Sequence, residues 1–178
     1  PTQKLYMCGS SLGFESKQIT FSGKAAHGSE PWNGVNALDA AVMTLNAINA
    51  NRATFKESDR VRIHPVISNG GEQVNVIPDT SVIETYVRAN NKQALDDACK
   101  KVDNATNAGA MAIGTTCDIE NIKGYAPLIQ DENISKVFED NALMFLDSQN
   151  IEHYKDMTGS TDMGDLSNII PSIQPTLG

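Results

Sequence analysis

The sequence is poor in the features that would place it at a membrane, on a nucleic acid or in a disulfide framework. No apolar run approaches the roughly 20 residues that a membrane-spanning helix needs, and no charged-then-apolar leader opens it. Aromatic residues make up only 6%, too few to suggest a stacking platform for bases. Basic residues are outnumbered, 14 against 22 acidic, for a net charge of -8, so a phosphate surface would repel the chain. Cysteine is rare as well. Cys8, Cys99 and Cys117 are odd in number and lack CxxC spacing, which argues against a disulfide framework or a Cys-based zinc knuckle and for a reducing, cytoplasmic setting. HExxH, Walker-type loops and His/Cys clusters are missing too. What remains is a globular composition, 40% hydrophobic and 20% charged over 178 residues, enough for one large domain or two small ones.

The charge is unevenly placed. Residues 1–123 carry 12 basic and 13 acidic side chains, whereas residues 124–178 carry two and nine. A step of that size near Gly124 predicts two structural units. The opening at Pro1 and the apolar close at Pro175–Gly178 lead us to expect a piece of a longer protein.

Local patterns predict the elements. Residues 18–22 alternate polar and apolar and end at Gly23, as a half-buried strand does. Residues 23–35 hold three Gly and one Pro and read as a loop. Asn36 followed by Asp39 resembles a capping box, and Leu38, Ala41, Val42, Leu45 and Ile48 recur at helical spacing, predicting a helix over 36–50. Residues 61–67 read as a strand, placed at a sheet edge because Pro65 cannot donate to a central ladder. A turn at 69–71 leads to a long strand at 74–89, and a helix at 92–112 follows, weakened at its last turn by Gly109. A strand at 116–122 completes the series. The order β-α-β-β-α-β predicts an α+β fold: a ferredoxin-like, four-stranded antiparallel sheet with two helices on one face. Beyond Gly124 the patterns predict a helix at 131–149, a short strand near Tyr154, a helix at 163–170 and a strand at 172–177. That tail reads as part of an α/β unit.

Three places hold residues suited to chemistry. His27 lies on a Gly-rich loop between a strand and a capped helix, where a rigid scaffold can aim it into a cleft; the alternative is a surface histidine in a turn. Asn75 follows the Gly70-Gly71 turn and offers both a donor and an acceptor, or simply opens a hairpin strand. Arg88 ends an otherwise apolar strand, where a guanidinium can clamp a carboxylate or pair with an acid at the rim. His64, between Ile63 and Pro65, reads as a structural imidazole and His153 as a solvated one. Asp162 and Asp165 flank Gly164, a spacing that could serve a metal, but beside Ser160, Thr161 and Ser167 it reads as a helix N-cap.

Several motifs together resemble the aminoacylase and carboxypeptidase group of zinc amidohydrolases, nearest the branch of aminobenzoyl-glutamate hydrolases and aminoacylase-like proteins. They are residues 19–27 ending in Ala25-Ala26-His27, residues 33–41, Gly70-Gly71, Asn75-Val76-Ile77-Pro78, Tyr86-Val87-Arg88-Ala89 and Gly159-Ser160-Thr161-Asp162. The resemblance implies a zinc-binding α/β catalytic domain interrupted by a ferredoxin-like lid that also dimerises. Residues 1–16 would then end a catalytic-domain segment, 17–123 would be the lid, and 124–178 would return part of the way into the catalytic domain. It also implies zinc, or another divalent metal, whose ligands lie outside these residues, so that this piece alone is expected to be inactive.

The resemblance further implies amide hydrolysis beside a free carboxylate, on an N-acyl amino acid, a dipeptide or an aminobenzoyl-glutamate-like substrate. His27 would stabilise the oxyanion, often from across a homodimer. Asn75 and Arg88 would hold the carboxylate, and Ser160, Thr161 and Asp162 would contribute to substrate binding. Trp32 and Tyr86 are candidates for the lid side of the acyl pocket. A different class stays open: a non-catalytic dimerisation or small-molecule-binding module on the same frame.

Overall fold

A computed structural model describes residues 4–178, apart from the side chains of Cys8, Lys155 and Asp156. Its strands and helices in chain order are β1 (Leu5–Ser10), β2 (Gly13–Ser22), β3 (Ala26–His27), α1 (Ala37–Asn51), β4 (Arg62–Asn69), β5 (Val76–Ile77) and β6 (Thr80–Ala89), followed by α2 (Lys92–Ile113), β7 (Thr116–Lys123), α3 (Glu132–Ala142), β8 (Ile151–Asp156), α4 (Met163–Ser167) and β9 (Thr176–Leu177). The chain packs as two compact units: residues 15–88 with 93–123, and residues 1–14 with 89–92 and 124–178.

The first of these units is the ferredoxin-like one. Its sheet runs β4-β6-β2-β7, with β4 antiparallel to β6 and β2 antiparallel to β7. Period-2 burial explains why these segments are strands. Ile19 and Phe21 on β2, Ile63 on β4, and Ile83 and Val87 on β6 are buried, while their neighbours face the other way. The helices bury matching stripes: Ala40, Ala41 and Ile48 on α1, and Ala98, Val102 and Ala105 on α2. Each fully buried Ile or Phe contributes about 1.5–3 kcal/mol. Asn36 starts α1 as expected, its Oδ1 accepting from the Leu38 and Asp39 amides. Pro65 lies on edge strand β4, where its missing N–H costs no central ladder bond.

Gly109 does not weaken α2 as the sequence suggests; the helix continues to Ile113. A Cβ at position 109 would stand 2.3 Å from Thr44 Oγ1 and 2.8 Å from the Ala40 carbonyl oxygen. The glycine lets α2 lie directly against α1, and that contact outweighs its poor helix propensity. The long strand expected at 74–89 is also divided. At the break the Pro78 carbonyl accepts from the Ala37 amide, and the Asp79 carbonyl accepts from Gly23 N–H at 2.7 Å. The backbone there serves α1 and the end of β2 instead of one continuous ladder.

A lysine sits inside this unit. Lys17 is only 1% exposed, facing α2 on the same side of β2 as Ile19 and Phe21. Its Nζ lies 2.9 Å from Asp103 Oδ1, donates to Asn121 Oδ1 at 2.6 Å and comes within 3.4 Å of Glu15 Oε1. Burial pushes the ammonium pKa down, but the hydrogen bond and charge of Asp103 prevail and hold it above the ordinary lysine value. Next to it, burial, reinforced by the Glu15 carboxylate, pushes the Cys99 thiol up to about 12. Such a thiol is inert.

The second unit has a sheet ordered β8-β1-β9, β1 running parallel to β8 and antiparallel to β9. Leu5, Met7 and Ile151 form its core, with Ala142 and Leu146 packed against it. Strand β1 was not expected. The predicted helix at 131–149 ends at Ala142, where Met144 and Phe145 turn back onto the Asn141 and Ala142 carbonyls. Phe145 and Met144 extend the apolar pattern yet are exposed, and the turn frees the chain to lay Ile151 beside β1. The expected final strand shrinks to Thr176–Leu177, and the expected helix at 163–170 to α4.

Candidate functional site

The loop bearing His27 is tied down at both ends. Lys24 and Val35 exchange both backbone hydrogen bonds at 2.9 Å, and Gly23 donates to Asp79. A Cβ on Gly23 would stand 2.1 Å from the Val35 carbonyl oxygen, so the loop closes only with glycine there. Between these ties β3 pairs antiparallel with β5, setting His27 opposite Val76, and Gly28 N–H donates to the Asn75 carbonyl at 2.7 Å. Two segments about 50 residues apart in sequence thus present His27 and Asn75 side by side, both side chains exposed. The His27 ring is oriented by its own loop: Nδ1 accepts from the Ser29 amide at 3.1 Å and lies 2.8 Å from Ser29 Oγ.

Arg88 is elsewhere. It lies near the far end of β6; at the near end Asp79, just before β6, accepts from Gly23, just after β2. The eight steps from Thr80 to Arg88 span about 26 Å at roughly 3.3 Å per residue. A single chain therefore brings His27 and Asn75 together but not Arg88. The guanidinium lies 5.7 Å from the centre of the Tyr86 ring, and the strand register sets Arg62 of β4 directly opposite. Directly opposite residues of an antiparallel pair lie on the same face of the sheet, so Arg62 and Arg88 share one face. Arg62 is a residue that sequence reasoning missed, because its pairing depends on register.

The remaining candidates are more modest. His64 is exposed opposite Tyr86 instead of packed, and His153 Nε2 lies 3.2 Å from Glu139 Oε1. Trp32 is 77% exposed, in a short 3-10 turn at Pro31–Asn33. A cavity of about 440 Å³ lies beside β5, lined by Ala25, Gly71, Glu72, Ile77 and Asp79 among others, but neither His27 nor Asn75 lines it.

In the other unit, Ser160, Thr161 and Asp162 precede α4. Thr161 Oγ1 accepts from the Met163 amide, so the cap comes from Thr161 and not from Asp162. The Asp165 carboxylate accepts from the Ala126 amide at 2.8 Å, a structural use. Among the described residues no group of three or more His, Cys, Asp and Glu side chains is placed to hold a metal ion. Nor is any helix among them long and apolar enough to cross a membrane.

A family model described as the peptidase dimerisation domain matches residues 10–113. The Xaa-Arg dipeptidase of Mus musculus is 34% identical over 163 residues, 88% of this chain and 37% of that protein; the Homo sapiens Xaa-Arg dipeptidase is 33% identical over the same length. Among solved structures, the aminobenzoyl-glutamate utilization protein from Klebsiella pneumoniae superposes with a TM-score of 0.74 over 92% of this chain and 42% of its own, at 16% identity, a likeness of fold alone. The chain spans a little over a third of the length of the curated relatives named here.

Proposed function

Since this chain belongs to the peptidase dimerisation domain family, we propose that it is the lid-bearing part of a metal-dependent amidohydrolase that cleaves an amide bond beside a free carboxylate. Residues 17–123 serve as the lid and dimer surface, and 124–178 return toward a catalytic domain whose metal ligands lie outside these residues. The substrate class is an N-acyl amino acid or a dipeptide, in keeping with the relatives' Xaa-Arg dipeptidase names.

The observation that carries this reading is the arrangement of His27 and Asn75 at one end of β6 and Arg88 at the other. One copy cannot close all three around a small substrate, whereas two copies can, if each lends its His27 and Asn75 to a site where the other supplies Arg88. A two-fold axis would create two such sites. When the amide carbonyl is attacked, its oxygen gains charge; an imidazole N–H aimed at that oxygen stabilises the transition state more than the ground state. Asn75 donates to the substrate, and Arg88, with Arg62 opposite, grips the carboxylate by its planar fork. Ser160, Thr161 and Asp162 are proposed to border the substrate, with Thr161 also capping α4.

In the full-length enzyme, His27→Ala is expected to lower kcat by about 100-fold or more, the typical cost of one lost oxyanion donor, with metal content unchanged. Steady-state kinetics and metal analysis on the same preparation check it. Normal turnover would remove the proposed role of His27.

A further inference from the structure

Ser29 does more than complete the turn after His27. The turn folds back, with the His27 carbonyl accepting from the Glu30 amide at 2.9 Å and Gly28 held on the Asn75 carbonyl. This brings the Ser29 amide against the imidazole, 3.1 Å from Nδ1, with the hydroxyl 2.8 Å from the same atom. A neutral imidazole has one ring proton, and each ring nitrogen is either a donor or an acceptor. A proton on Nδ1 would point at the amide hydrogen, which cannot turn away because the backbone fixes it. An unprotonated Nδ1 accepts from that amide and from the hydroxyl together.

We infer that Ser29 is a positioning residue that holds neutral His27 in the Nε2–H tautomer, leaving an N–H donor, not a lone pair, on the outward nitrogen. The same ring with its proton on Nδ1 would present a lone pair to a developing oxyanion and repel it. Ser29 thus sets the sign of the interaction His27 makes. The consequence for rate rests on the role proposed above for His27; the tautomer itself does not.

The full-length protein carrying 15N-labelled histidine is the material for the test. Imidazole 15N–1H correlation spectra are recorded at alkaline pH, where imidazoles are neutral, and His27→Gln assigns the signals. The expected spectrum shows a single tautomer, with Nε2 protonated and Nδ1 of the unprotonated type. Ser29→Ala keeps the amide and the tautomer, and Ser29→Thr keeps both spectrum and rate. Ser29→Asp sets an acceptor against Nδ1, draws the proton there and lowers kcat by about two orders of magnitude, the loss of an oxyanion donor. A wild-type His27 protonated on Nδ1, or averaging between tautomers, overturns the inference even if Ser29→Asp fails to fold. A Ser29→Asp protein with its tautomer reversed and its rate intact would uphold the inference and remove the oxyanion role instead.

Discussion

Arg88 carries the proposed choice of substrate. Its guanidinium stands near the Tyr86 ring with Arg62 opposite in the strand register, and it is proposed to grip the substrate's carboxylate. A charge-assisted hydrogen bond of this kind contributes about 1.5–3 kcal/mol. In the full-length enzyme, Arg88→Ala is therefore expected to lower kcat/KM by roughly 10- to 100-fold for a substrate with a free carboxylate. For the same substrate with that carboxylate amidated, the substitution should matter little. Arg88→Lys should recover only part of the loss, because an ammonium lacks the planar fork. Equal losses on both substrates would argue that Arg88 supports the fold and not the ligand. At this scale the sequence singles out a residue only where its type is unusual for its setting, such as a histidine in a Gly-rich loop or an arginine ending an apolar strand. It is silent on Ser29 and Arg62. Ser29 looks like any turn residue until the backbone shows its amide facing Nδ1, and Arg62 looks like a rim charge until the register sets it opposite Arg88.

Among the elements, α1, α2 and the sheet followed their periodicity, and the Asn36 cap and the edge position of Pro65 follow from local chemistry that a short window contains. The failures share one cause, which is long-range contact. Gly109 looks like a weak point within α2 and is the place where that helix meets α1. The 74–89 run looks continuous and is interrupted because Pro78 and Asp79 lend their carbonyls to Ala37 and Gly23. The 131–149 run looks helical throughout, yet Met144 and Phe145 are left exposed by the turn that delivers β8 to β1, while Leu146 packs against that core. Gly109→Ala tests the first of these. By propensity alone alanine should stabilise the helix by up to about 1 kcal/mol. The contacts at 2.3 and 2.8 Å instead predict a destabilisation of about 1–3 kcal/mol from overpacking, read as a lower midpoint in chemical denaturation. A raised midpoint would mean that the two helices part at little cost.

At the scale of the whole molecule, the three residues proposed to converge on substrate come from two copies of the chain. The 26 Å or so of β6 between the His27 end and Arg88 is what a single chain cannot shorten. Subunit mixing tests this most directly. Full-length His27→Ala and Arg88→Ala proteins, each assayed alone for its reduced activity, are co-refolded in equal amounts and assayed again. If the sites are shared, random pairing makes half of the dimers mixed, each with one site that receives an intact His27 and an intact Arg88, so activity should return to roughly a quarter of the wild-type value. Activity no greater than the average of the two variants alone would contradict the claim.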